Sequence, residues 1–503
     1  MARLAVDLPW IAKYVNTGIV IILLLFGYLG TIISSNFHIG TVIFLFLFLM
    51  NFYYRHIQTK HALLRNFGII AQARYMIESV GPELRQYLYA NDVEEKPFSR
   101  AERAEVYRKA KNIDSSEAFG SLLNFDDEEI KLRHSMYPID KKDMEKYSLT
   151  FGEERDIKNK YTITKPFIAS AMSFGALGQN AVRAISRGVK AAGIPMNTGE
   201  GGYPKYHLME GSDLIFQIGT AKFGVRNPDG SLNGDKLRNL SKLPQIKMIE
   251  IKFSQGAKPG KGGLLPKEKI TEEIADLRHV PMGQDVISPP HHIECTNPKN
   301  TVEFIKRVQD FSDLPVGIKM CVGSELEFRT LIKEMKKQKI FPDYISIDGA
   351  EGGTGAAPKS FMDNVGVPLF RALPLVQKIL VEERVRNKLK LLCAGKLISP
   401  GKQITAMALG ADAVYTARGF LLSLGCIQAL QCNKNTCPVG ITTHNPRFQK
   451  GLIISDKAVK VTNYVNNLEH DFYELLASTG SKNVKELTPD KVYIPKNAPC
   501  VEK

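Results

Sequence analysis

Cysteine and tryptophan are scarce in this chain of 503 residues, which has seven cysteines and one tryptophan. Cysteines this few and this unevenly spaced exclude the dense disulfide framework of small secreted proteins, and they favour a reducing compartment. The rest of the composition is that of an ordinary globular protein, with 44% hydrophobic and 24% charged residues. The length predicts more than one domain and is sufficient for a large core.

Long runs of like charge are also missing, although 67 basic residues against 52 acidic ones give a formal net charge of +15. Lysine and arginine are dispersed and are not interleaved with aromatic residues, so we expect no nucleic-acid partner. An anionic membrane surface explains the positive charge better, because the N-terminal part of the chain looks membrane-embedded. We therefore expect membrane lipid to be a partner.

Two apolar runs near the N-terminus contain no charged residue. They extend from Val15 to Ser34 and from Ile39 to Tyr54, each slightly short of the roughly 20 residues that cross a hydrocarbon core. Lysine and arginine flank the pair and are missing from the link, which predicts a transmembrane hairpin with both ends in the cytoplasm. A pair of buried core helices is the alternative. A cleaved signal peptide is disfavoured, because no small-residue cleavage site follows the first run.

Composition divides the chain into four predicted segments. Residues 1–57 form the membrane-anchor hairpin, and residues 58–160 form a charge-rich helical and extended collar, with apolar residues at helical spacing from Ala62 to Tyr89. Residues 161–450 form a barrel, and residues 451–503 form a C-terminal helix and tail.

From about residue 161, short apolar runs alternate with longer stretches of helical periodicity. Seven or more such units predict a (β/α)8 TIM barrel. A doubly wound sheet is the alternative, but no G-x-G-x-x-G opens a helix after the first strand. The predicted strands are Pro166–Met172, Pro195–Asn197, Met248–Phe253, Val316–Cys321, Tyr344–Asp348, Leu391–Ala394 and Ala413–Thr416, and the predicted helices include Gln179–Ala192, Thr301–Phe311 and Ser324–Gln338.

Glycine-rich and serine-rich loops follow several of these strands, at the end of a barrel where chemistry takes place. Glycine allows positive φ and lets backbone N–H groups approach an anion. One such loop alone is usually only a turn, whereas four at corresponding strand ends indicate a binding site. The loops are Ser170–Ala176, Asn197–Gly202, Gln255–Gly263 and Asp348–Ala356, with Gly395 and Gly419 after later strands.

Two lysines bear on the identity of the ligand. Lys319 lies inside the apolar run VGIKMC, where a charge is costly unless an anionic or electron-rich group such as a reduced flavin contacts it. A buried ion pair is the alternative explanation. Lys258 lies in a glycine-rich loop, where it either holds a substrate carboxylate or is merely solvated.

Three of the cysteines lie within twelve residues of one another. Cys426, Cys432 and Cys437 have the spacing C-x5-C-x4-C, and Pro-Val-Gly follows the last of them. Three thiolates without a local fourth suit an iron–sulfur cluster better than tetrahedral zinc. The alternatives are three unrelated core cysteines, or a disulfide and a spare thiol.

The motifs NTGEGG, QGAKPGKGG, ISPPHH and GGTGAAP precede the cysteine segment in this order. Together they resemble the FMN-binding synthase domain of glutamate synthase, and the whole chain looks like a short, membrane-associated bacterial member of that family. The resemblance implies a (β/α)8 barrel that binds FMN and carries a [3Fe-4S] cluster on Cys426, Cys432 and Cys437. It also implies a cytoplasmic catalytic body anchored to the bacterial inner membrane.

Matching the motifs residue by residue assigns further roles. Glu200 matches the family's glutamate beside the flavin, Lys258 matches the lysine of its AKPG run, and Arg278 matches the arginine that helps to bind 2-oxoglutarate. The flavin-contacting positions match Ala171, Met172, Ser173, Gly175, Gln217, Lys319, Gly352, Gly353, Thr354, Gly395 and Gly419.

One position departs from the family at the substrate. Leu264 stands where the family typically has a glutamine that helps to hold the keto acid, which predicts weak binding of 2-oxoglutarate. We recognise no glutaminase domain and no nucleotide-binding domain in the sequence. We therefore expect electrons to come from a partner protein, either ferredoxin-like or a reductase.

Three functions are compatible with these residues. The first is an FMN-dependent oxidoreductase that reduces an imine formed from a 2-oxo acid and ammonia, as in glutamate biosynthesis. The second is a membrane-tethered flavin and iron–sulfur electron-transfer protein that makes no amino acid, and the third is a non-catalytic scaffold. The set Glu200, Lys258 and Arg278 favours the first function, whereas Leu264 and the anchor favour the second. The retained FMN loops disfavour the third.

Overall fold

The computed structural model of the protein describes residues 2–114, 116–123 and 130–495. Contacts between residues divide the chain into two compact units, Met1–Arg100 and Ala101–Lys503. The four-segment division drawn on composition stays a prediction.

The first unit is helical, and its two apolar segments pack against each other. Gly27 lies beside Thr41, and the ring of Phe26 stacks on that of Phe44 with centroids 5.6 Å apart, so the two helices run antiparallel. Among the described residues, one helix, Phe37–Ile57, is long and apolar enough to cross a membrane, and only 6% of its most apolar stretch is buried. The transmembrane hairpin stays a prediction. The helices are α1 Ala2–Ile32, α2 Phe37–Phe52, α3 Ala62–Phe67 and α4 Ile70–Leu84, with π-helical turns at Tyr53–Ile57 and Arg85–Tyr89.

The second unit contains a closed barrel of eight parallel strands, in the order β4–β5–β6–β7–β10–β11–β12–β13, with β13 pairing back onto β4. Almost every strand residue is buried, because barrel side chains cover one face and helices cover the other. The strands of the chain are β1 Lys131–Leu132, β2 Leu149–Phe151, β3 Tyr161–Ile163, β4 Phe167–Ala169, β5 Met196–Asn197, β6 Leu214–Ile218, β7 Ile246–Lys252, β8 Leu264–Leu265, β9 Val286–Ile287, β10 Val316–Met320, β11 Tyr344–Asp348, β12 Lys390–Ala394, β13 Ala413–Thr416 and β14 Val492–Tyr493.

Helices cover the outside of the barrel between successive strands. In α6, the apolar face that includes Val182, Ile185 and Val189 is fully buried, and Gly188 leaves room for Val461 of α17. The remaining helices are α5 Arg100–Lys111, α6 Gln179–Ala192, α7 Lys205–Leu208, α8 Gly234–Ser241, α9 Glu272–Arg278, α10 Pro298–Phe311, α11 Glu325–Gln338, α12 Lys359–Asn364, α13 Leu369–Glu382, α14 Pro400–Ala408, α15 Arg418–Ser423, α16 Pro446–Gln449 and α17 Ile454–Ser478.

The predicted (β/α)8 TIM barrel is confirmed, and the doubly wound alternative is wrong because the sheet closes. Tyr344–Asp348, Ala413–Thr416 and Gln179–Ala192 have their predicted bounds. One barrel strand, Leu214–Ile218, was not among the predicted strands. All five of its residues are buried, including Gln217.

Candidate active site

A cleft at the carboxyl ends of the barrel strands gathers residues from most of the strand loops, where a barrel places its chemistry. It includes Ser170 after β4, Lys252 at the end of β7 and Asp348 at the end of β11. The predicted cofactor-binding residues that line it are Ala171, Gln217, Lys319, Gly352, Gly353 and Gly395.

The other predicted cofactor-binding residues lie outside the cleft lining, on the loops after β4 and β11 and, for Gly419, at the start of α15. The hydroxyl of Thr354 accepts a hydrogen bond from Gln255, which itself lines the cleft, at 3.5 Å. At Gly419 a Cβ would collide with the hydroxyl of Tyr464, so close packing requires glycine there. The residues in this group are Met172, Ser173, Gly175, Thr354 and Gly419.

Sequence reasoning assigned no role to four basic or amide residues that line the cleft, Lys252, Gln255, Lys396 and Arg418. Lys252 is the last residue of β7, a strand that also contains Lys247 and Glu250, so a charge at this position gave no distinct signal. Lys396 and Arg418 are chain neighbours of the predicted Gly395 and Gly419, and a basic residue beside a glycine at a strand end was the available signal. Gln255 opens the glycine-rich loop after β7.

Lys319 has an acidic partner within the cleft. Its Nζ lies 3.6 Å from Oδ2 of Asp348, and each side chain is less than a tenth exposed. Burial alone would lower the pKa of Lys319, but the carboxylates of Asp348 and Glu250 raise it above the ordinary value, so the ammonium stays charged. The buried ion pair expected as the alternative is therefore present, whereas contact of this lysine with a flavin stays a prediction.

Lys396 and Arg418 give one corner of the cleft a positive charge. The Arg418 guanidinium donates to the carbonyl oxygen of Glu351, and a Cβ at Gly353 would stand 2.9 Å from its Nε. Close approach of the guanidinium therefore requires glycine at position 353. Burial lowers the pKa of both basic residues, and nearby carboxylates partly oppose this effect. Two cations beside glycine-rich backbone are the donors that a phosphate group needs.

Glu200 lies among cations. Its Oε1 accepts a hydrogen bond from Nζ of Lys252 at 2.7 Å. Burial raises the pKa of the Glu200 carboxyl, but Lys252, and then Arg278 and Lys258, outweigh burial and hold this pKa below its ordinary value. Glu200 is therefore ionised at neutral pH. Gly263, the residue before Leu264, packs against this carboxylate, because a Cβ at position 263 would stand 2.7 Å from the same oxygen.

The other two predicted catalytic residues are buried cations. Lys258 donates to a backbone carbonyl oxygen at 2.7 Å, and burial, followed by repulsion from Lys252, lowers its pKa to about 8. Arg278 donates to a backbone carbonyl oxygen at 3.0 Å, and burial lowers its pKa to about 10 against the opposing effect of Glu200. The structure thus brings Glu200, Lys258 and Arg278 into one electrostatic cluster, to which Lys252 belongs. The positive charge exceeds the negative charge, which suits an anionic substrate.

The three cysteines of the motif lie in one loop after α15. None of the six described cysteines forms a disulfide, so the disulfide alternative is wrong. The loop turns sharply, with left-handed backbone at Gln428, Leu430 and Asn435. The N–H of Gln428 donates to the sulfur of Cys426 at 3.5 Å.

The three motif thiols interact electrostatically. Burial raises the pKa of Cys426 to about 11, and the charges of Cys432 and Cys437 add to this effect against the opposing hydrogen bond from the N–H of Gln428. In the part of the chain that the structure describes, one group of three possible ligand atoms lies within 4.8 Å of one another, that of His470, Asp471 and Glu474. The [3Fe-4S] cluster on the three cysteines stays a prediction.

Two side chains connect the cysteine loop to the loop after β4. Lys269 donates to the carbonyl oxygens of Ala176 and Cys432, the latter at 3.1 Å. Nε2 of His444 lies 3.0 Å from the carbonyl oxygen of Gly175. Since Ala171 of the β4 loop lines the cleft, the cleft and the cysteine loop are joined through this segment.

Residues 99–482 match the family model described as the conserved region in glutamate synthase. The chain belongs to the glutamate synthase family. Among its glutamate synthase relatives is the glutamate synthase large subunit-like protein YerD of Bacillus subtilis, 40% identical over 461 residues that cover 84% of this chain and 88% of that protein. The archaeal-type glutamate synthase (NADPH) of Thermotoga maritima is 34% identical over 352 residues, which cover 68% of this chain and 66% of that protein.

The family consists of oxidoreductases, so the chain is a glutamate synthase-type oxidoreductase. It spans somewhat less than two thirds of the length of the archaeal-type relative. Among solved structures, mandelate oxidase with benzoyl-formic acid is 14% identical, with a TM-score of 0.46 over 79% of this chain and 98% of that one.

Proposed function

We propose that this glutamate synthase-type oxidoreductase binds FMN and reduces an imine formed from a 2-oxo acid and ammonia. When bound, FMN supplies the two-electron reduction of the carbon–nitrogen bond, and a [3Fe-4S] cluster on Cys426, Cys432 and Cys437 supplies single electrons. Ammonia comes from solution, and an electron donor protein, ferredoxin-like or a reductase, reduces the cluster.

The residues of the cleft fit FMN. Lys396 and Arg418, beside the backbone of Gly352, Gly353 and Gly395, are suited to hold its phosphate. Lys319 supplies a buried positive charge for the electron-rich edge of the reduced ring, and the pairing with Asp348 keeps that charge in the folded protein.

The observation that carries the proposal is the carboxylate of Glu200 among three cations. Arg278 and Lys258 are suited to bind the carboxylates of a 2-oxo acid by charge-assisted hydrogen bonds. Glu200 is ionised, so it can accept a proton, and Lys252, at 2.7 Å, can hold it in place. The excess of positive charge selects an acidic substrate.

The cysteine loop fits a cluster that exchanges electrons with the cleft. The N–H of Gln428 donates to the sulfur of Cys426 at 3.5 Å, and hydrogen bonds of this kind to the sulfurs tune the potential of a cluster. Lys269 and His444 hold this loop to the segment that continues into the cleft.

We further propose that α1 and α2 anchor the protein in the bacterial inner membrane with the catalytic unit in the cytoplasm. The helix Phe37–Ile57 and the basic residues that flank the apolar pair support this. Protease added outside intact cells should leave the catalytic unit uncut, and it should cut this unit in inverted vesicles.

Spectroscopy of the purified full-length protein tests the chemistry. We expect flavin bands with a broad iron–sulfur shoulder that bleach on anaerobic reduction. A 2-oxo acid and ammonium together should then reoxidise the flavin and yield the amino acid, whereas either alone should not. Glu200→Gln should keep the spectrum and lose this reoxidation. A reduced protein that no 2-oxo acid reoxidises with ammonium would overturn the proposal.

A second candidate function is membrane-tethered electron transfer without amino-acid synthesis. Leu264 favours it, because an apolar side chain replaces the family's substrate-binding amide next to Gly263. This candidate predicts that a quinone in the bilayer reoxidises the reduced protein, and that 2-oxo acids with ammonium have no effect.

A further inference from the structure

The segment Ile70–Tyr89, named the surface helix from this point, comprises α4 and the π-helical turn that follows it. At 100° per residue its apolar side chains fall on about one third of the helix circumference, and its polar and charged side chains cover most of the rest. The apolar face includes Met76, Ile77, Val80, Leu84, Tyr87 and Leu88.

The apolar face of the surface helix is exposed. Met76 is 63% exposed, Ile77 60% and Leu88 68%, and Val80 and Leu84 are each more than 40% exposed. Scattered exposed aliphatic residues are normal in soluble proteins, but a continuous apolar face marks an interaction site. This face extends from Met76 to Leu88, which is more than three helical turns, and therefore needs an occupant.

The start of the surface helix is fixed beside one end of α2. The side-chain oxygen of Asn51, in the last turn of α2, accepts the backbone N–H of Ile69 at 2.8 Å. A Cβ at Gly68 would stand 3.3 Å from the side chain of Arg55, so the chain passes directly by this arginine. Arg55, in the π-helical turn after α2, and Lys60, beyond that turn, follow the apolar residues of α2, and in a membrane such residues lie at the level of the headgroups.

The charges around this junction favour an anionic surface. Residues 8–77 contain no Asp or Glu, and Arg55, Lys60 and Arg65 lie between the end of α2 and the start of the surface helix. Within the surface helix, Arg74 pairs with Glu78 at 2.8 Å, so the excess of positive charge lies at the junction and not along the helix. The cytoplasmic leaflet is negatively charged and attracts such basic segments next to a membrane span.

We propose that the surface helix lies in the plane of an anionic phospholipid bilayer, with its apolar face among the acyl chains and its polar face towards the headgroups and water. This inference rests on the membrane-anchoring part of the proposed function, because it places the helix at the level where α2 leaves the bilayer. It adds a second, in-plane membrane contact to that of the anchor.

Fluorescence quenching by brominated lipid tests this arrangement in the full-length protein. The single tryptophan, Trp10, is first replaced in Trp10→Phe, and new tryptophans then report on single positions. Val80→Trp samples the apolar face, and its chain neighbour Ser79→Trp samples the polar side. Each protein is reconstituted in phosphatidylethanolamine–phosphatidylglycerol vesicles with brominated acyl chains, and retained flavin absorbance shows that it is folded.

We expect brominated lipid to quench the emission of Val80→Trp at least twofold more strongly than that of Ser79→Trp. Leu88→Trp, two turns further along the same face, should behave as Val80→Trp does. Equal quenching at both faces would overturn the proposal. Blue-shifted emission from Val80→Trp without quenching would also overturn it, because a second copy of the chain or another protein would then cover the face.

Phe46→Trp separates this inference from the anchor on which it rests. Phe46 is 64% exposed on α2 and should be strongly quenched if α2 spans the bilayer. Quenching at position 46 without quenching at positions 80 and 88 would contradict only the in-plane helix. Absence of quenching at all three positions would contradict the membrane anchor as well.

Discussion

At the scale of single residues, the ionised state of Glu200 depends on Lys252. We expect Lys252→Met to raise the pKa of Glu200. Burial raises this pKa, and the variant removes the positive charge that most strongly lowers it. In the unaltered protein the depressed pKa stabilises the fold above the ordinary carboxyl range, and this contribution is lost as pH falls through the folded-state value. In the variant, the buried and ionised carboxylate of Glu200 lowers the stability of the fold, and protonation of this carboxylate at low pH removes that loss.

Unfolding midpoints measured from about pH 7 down to about pH 4 check this prediction. The stability difference between Lys252→Met and the unaltered protein should be greatest near neutral pH and narrow towards the acidic end. Lys267→Met, at an exposed position on the loop that follows β8, is the matched control and should show no such trend. A difference independent of pH would mean that the pair does not control the ionisation of Glu200.

We expect Leu264 to determine how tightly the site binds 2-oxoglutarate. Leu264→Gln should strengthen binding of 2-oxoglutarate by about 1–1.5 kcal/mol, or roughly tenfold, if one hydrogen bond is regained. Titration of the oxidised flavin with 2-oxoglutarate measures this affinity. Arg278→Ala should weaken binding in the same assay. If neither change alters affinity, no keto acid binds at this place, and electron transfer becomes the leading function.

At the scale of structural elements, the cysteine loop and the cleft are separate parts of the second unit. Replacing Cys426, Cys432 or Cys437 by serine should sharply reduce the iron content and leave most of the FMN, because the sites proposed for the two groups lie on different loops. Iron analysis and flavin absorbance measure both quantities on one sample. Cys295→Ser, outside the loop, should alter neither. Unchanged iron in all three variants would show that the thiols are only structural.

The barrel interior depends on one buried carboxylate. Glu250 in β7 accepts hydrogen bonds from Asn197, Gln217 and Tyr415 at 2.8, 2.7 and 2.9 Å. We expect Glu250→Ala to reduce the free energy of unfolding by at least about 3 kcal/mol, because three buried donors lose their acceptor. Glu327→Ala, exposed on α11, is the control. Similar denaturant midpoints for the two variants would contradict this account.

The alternation of buried strands and amphipathic helices was sufficient to predict the barrel, because both periodicities are local. Tyr344–Asp348 is a run of buried residues between turn signals, and its bounds follow from the sequence. Leu214–Ile218 was missed although four of its five residues are apolar, because an apolar run this short is ambiguous by periodicity alone.

Pairings in the site were harder to predict than its residues. Motif matching found Glu200, Lys258 and Arg278, but the partner of Glu200 is Lys252, 52 residues further along the chain. Arg418 and Gly353 form a second such pair, because they follow different strands and the missing side chain at Gly353 makes room for the guanidinium. Such pairs depend on which strands become neighbours in the closed barrel, and no local pattern encodes that.

At the scale of the whole molecule, the two compact units have different tasks. All the described residues of the candidate active site lie in Ala101–Lys503. We expect a protein that lacks residues 1–100 to be extracted without detergent and to retain FMN. Sedimentation of cell extracts and flavin absorbance test this. A truncated protein that aggregates without flavin would show that the first unit is part of the folded core.

The contact between His444 and Gly175 joins positions 269 residues apart in the chain. The ribosome must therefore make the whole barrel and the cysteine segment before the loop after β4 acquires its final neighbour. If the N-terminal helices anchor the protein as proposed, they emerge first and hold the nascent chain at the membrane while the rest is translated. Assembly of the proposed metal centre would then be one of the last events in biosynthesis. On the proposed function, a shortage of iron would leave a tethered, flavin-loaded precursor rather than an unfolded chain.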